Sequence, residues 1–265
     1  MLSLPDALLE AIIAEVNDEN TVALALGGSY ARGTPTPYSD VDIARFVKVL
    51  PERYNKHFYW RDGRIINIST KSIARERENI KRPENAIFTV PAFREVRILV
   101  DKTGEFTSFQ QELLALTWES MQPAADDYAS DEMMLIAEDA HKILSALYEN
   151  NAEGLAYATI MLFRELTHTL AVQGGVWVQT NSTYARQVEE RVGVDSAWTR
   201  YHRLAGGIDP TPPGSDGLRA RAIAGLHLYA ESANLLRTIL LPQHRDVVEN
   251  TVRVIREALA KEQER

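Results

Sequence analysis

LGGSYARGTPTPYSDVDIARF, residues 26–46, decides the fold of this chain. It sets a Gly-Gly-Ser turn behind one apolar run and two carboxylates, Asp40 and Asp42, at the head of another. TVALAL, residues 21–26, reads as a buried strand that ends at Gly27-Gly28. VDIARFV, residues 41–47, reads as a second strand. Side chains alternate along a strand, so Asp40 and Asp42 share one face while Val41 and Ile43 point into the core.

Two carboxylates that close repel unless a cation lies between them. Hard oxygen ligands suit Mg²⁺, which takes one or two protein carboxylates together with substrate phosphates. Gly27 and Gly28 let the backbone approach an anion, Ser29 adds a hydroxyl, and Arg32 adds a forked donor for phosphate oxygens. The segment reads as a cradle for a metal-bound triphosphate. A Walker loop fits less well: Gly28 and Gly33 have its spacing, but Thr34 stands where its lysine belongs, and PTPYSD is a poor helix start.

Outward from this segment the chain changes character near residue 125. Residues 5–18 carry Leu8, Leu9, Ile12, Ile13 and Val16 at helical spacing, and RIINIST (64–70) and VRILV (96–100) are further strands. KSIARERENI between them looks helical, and the charge run RERENIKRPE reads as a solvated face. Beyond DKTGEF, the segments 105–121, 127–149, 152–173, 182–192, 216–241 and 243–263 all favour helix, with DPTPPGSDG (209–217) as a loop. The expectation is an α+β protein, with a mixed-sheet domain over 1–125 and an all-helical domain over 126–265.

Composition bounds the rest. The chain has 265 residues, 45% hydrophobic and 25% charged, within the range of folded globular proteins. No apolar run approaches a membrane span, and MLSLPDALLE lacks a basic leader, so a cytoplasmic location is expected. The absence of cysteine excludes disulfides and thiolate catalysis. The six histidines show no ligand spacing, and none is assigned to a metal. A net charge of −8 disfavours broad phosphate neutralisation and suits a cationic or neutral partner.

Gly28-Ser29, Arg32-Gly33 and Ser39-Asp40-Val41-Asp42 resemble the signature of the polymerase-β-like minimal nucleotidyltransferases. Within that superfamily, PYSDVD, RIINIST and WVQTNSTYARQV look most like the kanamycin (aminoglycoside) nucleotidyltransferase group of antibiotic-modifying enzymes. The resemblance implies attack of a substrate hydroxyl on the α-phosphate of a nucleoside triphosphate, with ATP the expected donor, and release of pyrophosphate. Asp40 and Asp42 would then hold Mg²⁺ and carry catalysis. Gly28, Ser29, Arg32 and Ser39 would bind the nucleotide, with Ser39 fixing the metal strand. A small hydroxylated, cationic, aminoglycoside-like acceptor and a homodimer are what the group implies. A macromolecular acceptor, protein or RNA, is the alternative, and a nucleotide-binding protein with weakened chemistry is another.

One position departs from the family. The third carboxylate that such enzymes carry on a neighbouring strand corresponds to Asn67, with Glu95 as the candidate acid if the alignment slips by a strand. The group draws its catalytic glutamate from the helical domain. In DEMMLIAEDAHKIL, Met133, Ile136, Ala140, Ile143 and Leu147 define the apolar face, and Glu138 and Lys142 lie opposite, one turn apart. Glu138 is read there as base and Lys142 as phosphate ligand, against a solvated i,i+4 ion pair. Trp177, Tyr184 and Tyr201 are read either as pocket walls or, more commonly for helical domains, as core.

Overall fold

The computed structural model describes residues 4–52 and 56–263. Residues 1–3 of MLSLPDALLE fall outside them. The chain divides into two compact units, one ending at Thr117 and the other beginning at Trp118.

The first unit is a five-stranded mixed sheet with helices on both faces. Its elements run α1 (Asp6–Val16), β1 (Thr21–Leu26), α2 (Gly28–Arg32), β2 (Val41–Val47), β3 (Lys56–Arg61), β4 (Arg64–Lys71), α3 (Ile73–Asn79), α4 (Pro83–Arg94), β5 (Arg97–Asp101) and α5 (Glu105–Ala115). The strand order is β3-β4-β2-β1-β5, with β2 parallel to β4 and every other pair antiparallel. β1 is buried along its whole length because it is central and covered on both faces. Val41 and Ile43 do point into the core, where they join Leu24, Leu26, Ile66 and Ile68 beneath Leu8, Leu9 and Ile12 of α1. On the other face Phe46 packs its ring 4.5 Å from Phe106 and 5.4 Å from Phe93.

Three differences from the sequence reading concern local geometry. The Gly-Gly-Ser turn is the start of the one-turn helix α2, which ends at Gly33 with φ +72°. β3 was not expected as a strand, and it pairs with β4 through Asp62 and Gly63, both at positive φ, as a tight hairpin requires. The charge run is not uniformly solvated: Glu76 is buried and accepts from Lys71 Nζ at 3.1 Å.

The second unit is helical, as expected. It contains α6 (Gln122–Glu149), α7 (Ala152–Gln173), α8 (Tyr184–Val192), α9 (Ala197–Ala205), α10 (Gly217–Leu235) and α11 (Pro242–Gln263). Met133, Ile136, Ala140, Ile143 and Leu147 are all buried, so the apolar face assigned to α6 is its core face. Asn150 ends α6 in the left-handed region, and the Asn151 side chain caps α7 by accepting from Gly154 N at 3.0 Å. His202 is fully buried between the rings of Phe163 and Trp198, each 4.5 Å away, and meets Glu189 Oε1 at 2.9 Å. Among the described residues no helix is long and apolar enough to cross a membrane.

Candidate functional site

The site is built at the end of β1 and the start of β2. The chain leaving β1 stays paired to β2 for one more residue, because Gly27 N donates to the Asp42 carbonyl at 2.8 Å. Gly28 then turns the backbone at φ +63°, and a Cβ there would collide with the Asp42 carboxylate. Glycine is required twice over, for conformation and for room. α2 follows, closed by Thr34 N donating to the Ser29 carbonyl at 2.9 Å, and it carries Ser29 and Arg32 beside the carboxylate strand.

Asp42 is half-buried in β2, and Asp40 lies just ahead of the strand. Burial raises the Asp42 carboxyl above the usual carboxylate range; a hydrogen bond from Asn67 opposes the rise and the charge of Asp40 adds to it. Lys56 and Arg32 pull the other way, each favouring the ionised form. A carboxylate that is partly desolvated and crowded by a like charge is relieved by a bound cation. Asp40 and Asp42 therefore fit a divalent ion of the hard type.

Asn67 stands opposite Asp42 in the parallel β2–β4 register. Its Nδ2 donates to Asp42 Oδ1 at 2.8 Å, and its own carbonyl oxygen is buried without a hydrogen-bond partner. Glu95, the substitute acid considered from the sequence, lies elsewhere, with Arg32 Nη1 3.8 Å from its Oε2 and next to the edge strand β5. Ser39 spends its hydroxyl inside the loop, accepting from Thr36 N at 2.9 Å, and so shapes the approach to Asp40.

β3 brings residues that the sequence reading did not include. Phe58 is opposite Asn67, Lys56 opposite Ser69 and Trp60 opposite Ile65. Phe58 and Trp60 are 56% and 70% exposed, unusual for aromatic side chains beside a polar site. The signal that could have found them is Asp62-Gly63 flanked by KHFYWR and RIINIST.

The helical unit carries the remaining candidates. Glu138 is 77% exposed and pairs with Lys142 Nζ at 3.1 Å, while the same ammonium meets Asp139 Oδ1 at 2.9 Å. A carboxyl missed from the sequence is more perturbed: Glu165 on α7 is pushed up to about 7, by burial first and then by its hydrogen bond and charge contact with Asp139. Tyr184 meets His168 Nδ1 at 3.1 Å, Trp177 packs edge-on to Trp118, and Tyr201 stacks on His227. Among the described residues no group of three Asp, Glu, His or Cys side chains could hold a metal ion.

Residues 9–112 match the profile of a family described as the nucleotidyltransferase domain. The solved structures include a similar fold in a nucleotidyltransferase-like protein from Exiguobacterium sibiricum 255-15, with a TM-score of 0.51 and 11% identity. That alignment covers 89% of this chain and 78% of the other. The comparison with curated proteins gave no match. These likenesses reach the domain and do not extend to the kanamycin group. Residues 9–112 are thus similar to a nucleotidyltransferase domain, and that likeness supports nucleotidyl transfer at the level of reaction class.

Proposed function

We propose that the protein transfers a nucleoside monophosphate from a nucleoside triphosphate, ATP first among them, to a hydroxyl of a small acceptor. The observation that carries this reading is the placement of Asp42, with Gly28 close on one side, Asn67 hydrogen-bonded on the other and Asp40 beside it. Asp40 and Asp42 would hold Mg²⁺, which when bound neutralises phosphate charge and favours the attacking oxygen. Ser29 and Arg32 would bind the outer phosphates. The acceptor oxygen bonds to the α-phosphorus, the bond to the bridging oxygen breaks with its electron pair leaving on pyrophosphate, and the hydroxyl proton passes to water.

An aminoglycoside-like acceptor comes from the resemblance. The net charge of −8 and the carboxylates Glu132, Asp139 and Glu165 gathered on α6 and α7 support a cationic ligand. A second reading, transfer to the end of an RNA strand, is favoured by exposed Phe58 and Trp60 next to Lys56, since aromatic faces stack bases and a cation meets phosphate. The deciding experiment measures Mg²⁺-dependent pyrophosphate release over the four triphosphates with aminoglycosides, neutral polyols and RNA oligonucleotides. Release with an aminoglycoside but not with RNA supports the first reading. Triphosphate binding with no transfer to any acceptor would reduce the protein to a nucleotide binder.

A further inference from the structure

Lys56 and Phe58 alternate along β3, and their register partners Ser69 and Asn67 alternate along β4. Paired residues of an antiparallel ladder share a face, so Lys56 lies on the face of Asn67 and Asp42. Lys56 is exposed and makes no hydrogen bond or ion pair with the described residues. Its charge acts on Asp42.

The order of the sheet gives this face a direction. α2, with Ser29 and Arg32, follows β1, while Asn67 and Lys56 belong to β4 and β3 on the far side of β2. If the triphosphate tail lies at α2, displacement in line requires the attacking oxygen to arrive from the opposite side, over β4 and β3. The groups waiting there are a neutral amide and an ammonium.

That donor set does not suit a second divalent ion. Mg²⁺ takes one or two protein carboxylates together with substrate phosphates, so Asp40 and Asp42 suffice for one ion, and a second would need a further anionic ligand from the acceptor side. Asn67 adds none, Glu95 faces Arg32, and Lys56 would repel a divalent ion on its own side. The amide is nonetheless oriented: its NH₂ is committed to Asp42, so its carbonyl oxygen turns away as a buried acceptor with no partner.

We infer that the site works with one divalent ion and that Asn67 and Lys56 fill the acceptor side in place of a second. Asn67 holds the Asp42 carboxylate in place through its NH₂ and adds no charge on the acceptor side. The Lys56 ammonium offsets charge on the α-phosphate as the oxygen attacks. The inference rests on the transfer reading above.

The test counts bound Mn²⁺ by electron paramagnetic resonance while the protein is saturated with a non-hydrolysable triphosphate analogue. In parallel it measures pyrophosphate release with the best acceptor, or with water. Wild type should hold about one Mn²⁺ per chain beyond free analogue complexes, and Asn67→Asp should gain a second, weaker ion. Lys56→Met should keep the analogue affinity and the ion count while turnover falls about 10²-fold, and Lys56→Arg should restore part of it. Two ions in the wild type, or full turnover in Lys56→Met, overturns the inference and leaves the transfer reading standing. Failure of the wild type to bind the analogue at all removes both.

Discussion

Asn67 Nδ2 donates to Asp42 Oδ1 at 2.8 Å across the parallel β2–β4 pair, so the residue opposite the central carboxylate is a hydrogen-bond donor to it and not a second acid. The contact partly offsets the cost of burying Asp42. It also links each property of the site to a single substitution.

Asp42→Asn should abolish transfer, by at least about 10³-fold, without unfolding the protein. The stability effect has a definite sign. Asp42 has a raised carboxyl in the fold, so its ionisation weakens the native state as pH rises from the unfolded value of 3.8 through the higher folded one. Metal-free Asp42→Asn should therefore melt at the same temperature as wild type or higher at pH 7, measured by calorimetry with chelator present. A marked fall in melting temperature would mean that the carboxylate is structural.

Gly28→Ala combines a left-handed φ of +63° with a collision against Asp42. The conformational part alone costs about 1–2 kcal/mol. Because the obstructed group is the carboxylate itself, turnover should drop further than that stability loss accounts for. Near-native turnover in a folded Gly28→Ala protein would show that the turn can shift without disturbing Asp42.

Arg32→Ala should weaken triphosphate binding about tenfold or more, the scale of one charged hydrogen bond, with the fold unchanged. Its contact with Glu95 at 3.8 Å is loose and partly solvated, so little stability is at stake. Calorimetric titration with an ATP analogue decides the matter, and unchanged affinity would make Arg32 a surface residue.

Glu138→Gln separates a general base from a surface ion pair. Loss of a base would cost two to four orders of magnitude in turnover, roughly, whereas loss of an exposed i,i+4 pair would leave turnover unchanged and barely move the melting temperature. The 77% exposure of Glu138 and its pairing with Lys142 favour the smaller effect. Steady-state rates on the purified variant distinguish the two.

Glu165 should make the helical unit pH-sensitive. Its carboxyl rises from 4.5 to about 7 in the fold, so the native state holds a proton that the unfolded chain releases between those values. Stability from this group is present below about pH 4.5 and is lost as pH rises toward 7, with Asp139 sharing the titration. Glu165→Gln should flatten the fall in melting temperature between pH 5 and about 7.5; an unchanged pH profile would assign it to other groups.

Local chemistry was enough for much of this molecule. β1 over 21–26, β2 over 41–47 and α7 over 152–173 begin and end where the residue pattern placed them, because apolar runs and helical spacing record burial within a single element. The pairing of Asp40 with Asp42, and the need for glycine beside them, were legible for the same reason, since strand alternation and backbone freedom are properties of neighbouring residues. α4, with Pro91 inside it, and α9 were not read as helices: proline masks the pattern in one, and the other spans only nine residues.

What lies across strands left little local record. β3 is exposed on its aromatic face, so burial imposes no apolar pattern on KHFYWR, and its local mark is the Asp62-Gly63 turn into β4. The sequence offers Asn67 as a neutral residue in a missing acid's place; register alone turns it into the hydrogen-bond partner of Asp42 and sets Lys56 on the same face. Glu165 looks like an ordinary helical glutamate until α6 packs against α7 and brings Asp139 to it, and the resulting loss of water is what raises its carboxyl. Periodicity reports which side of an element is buried, whereas charge, register and desolvation depend on what the other elements bring to that side.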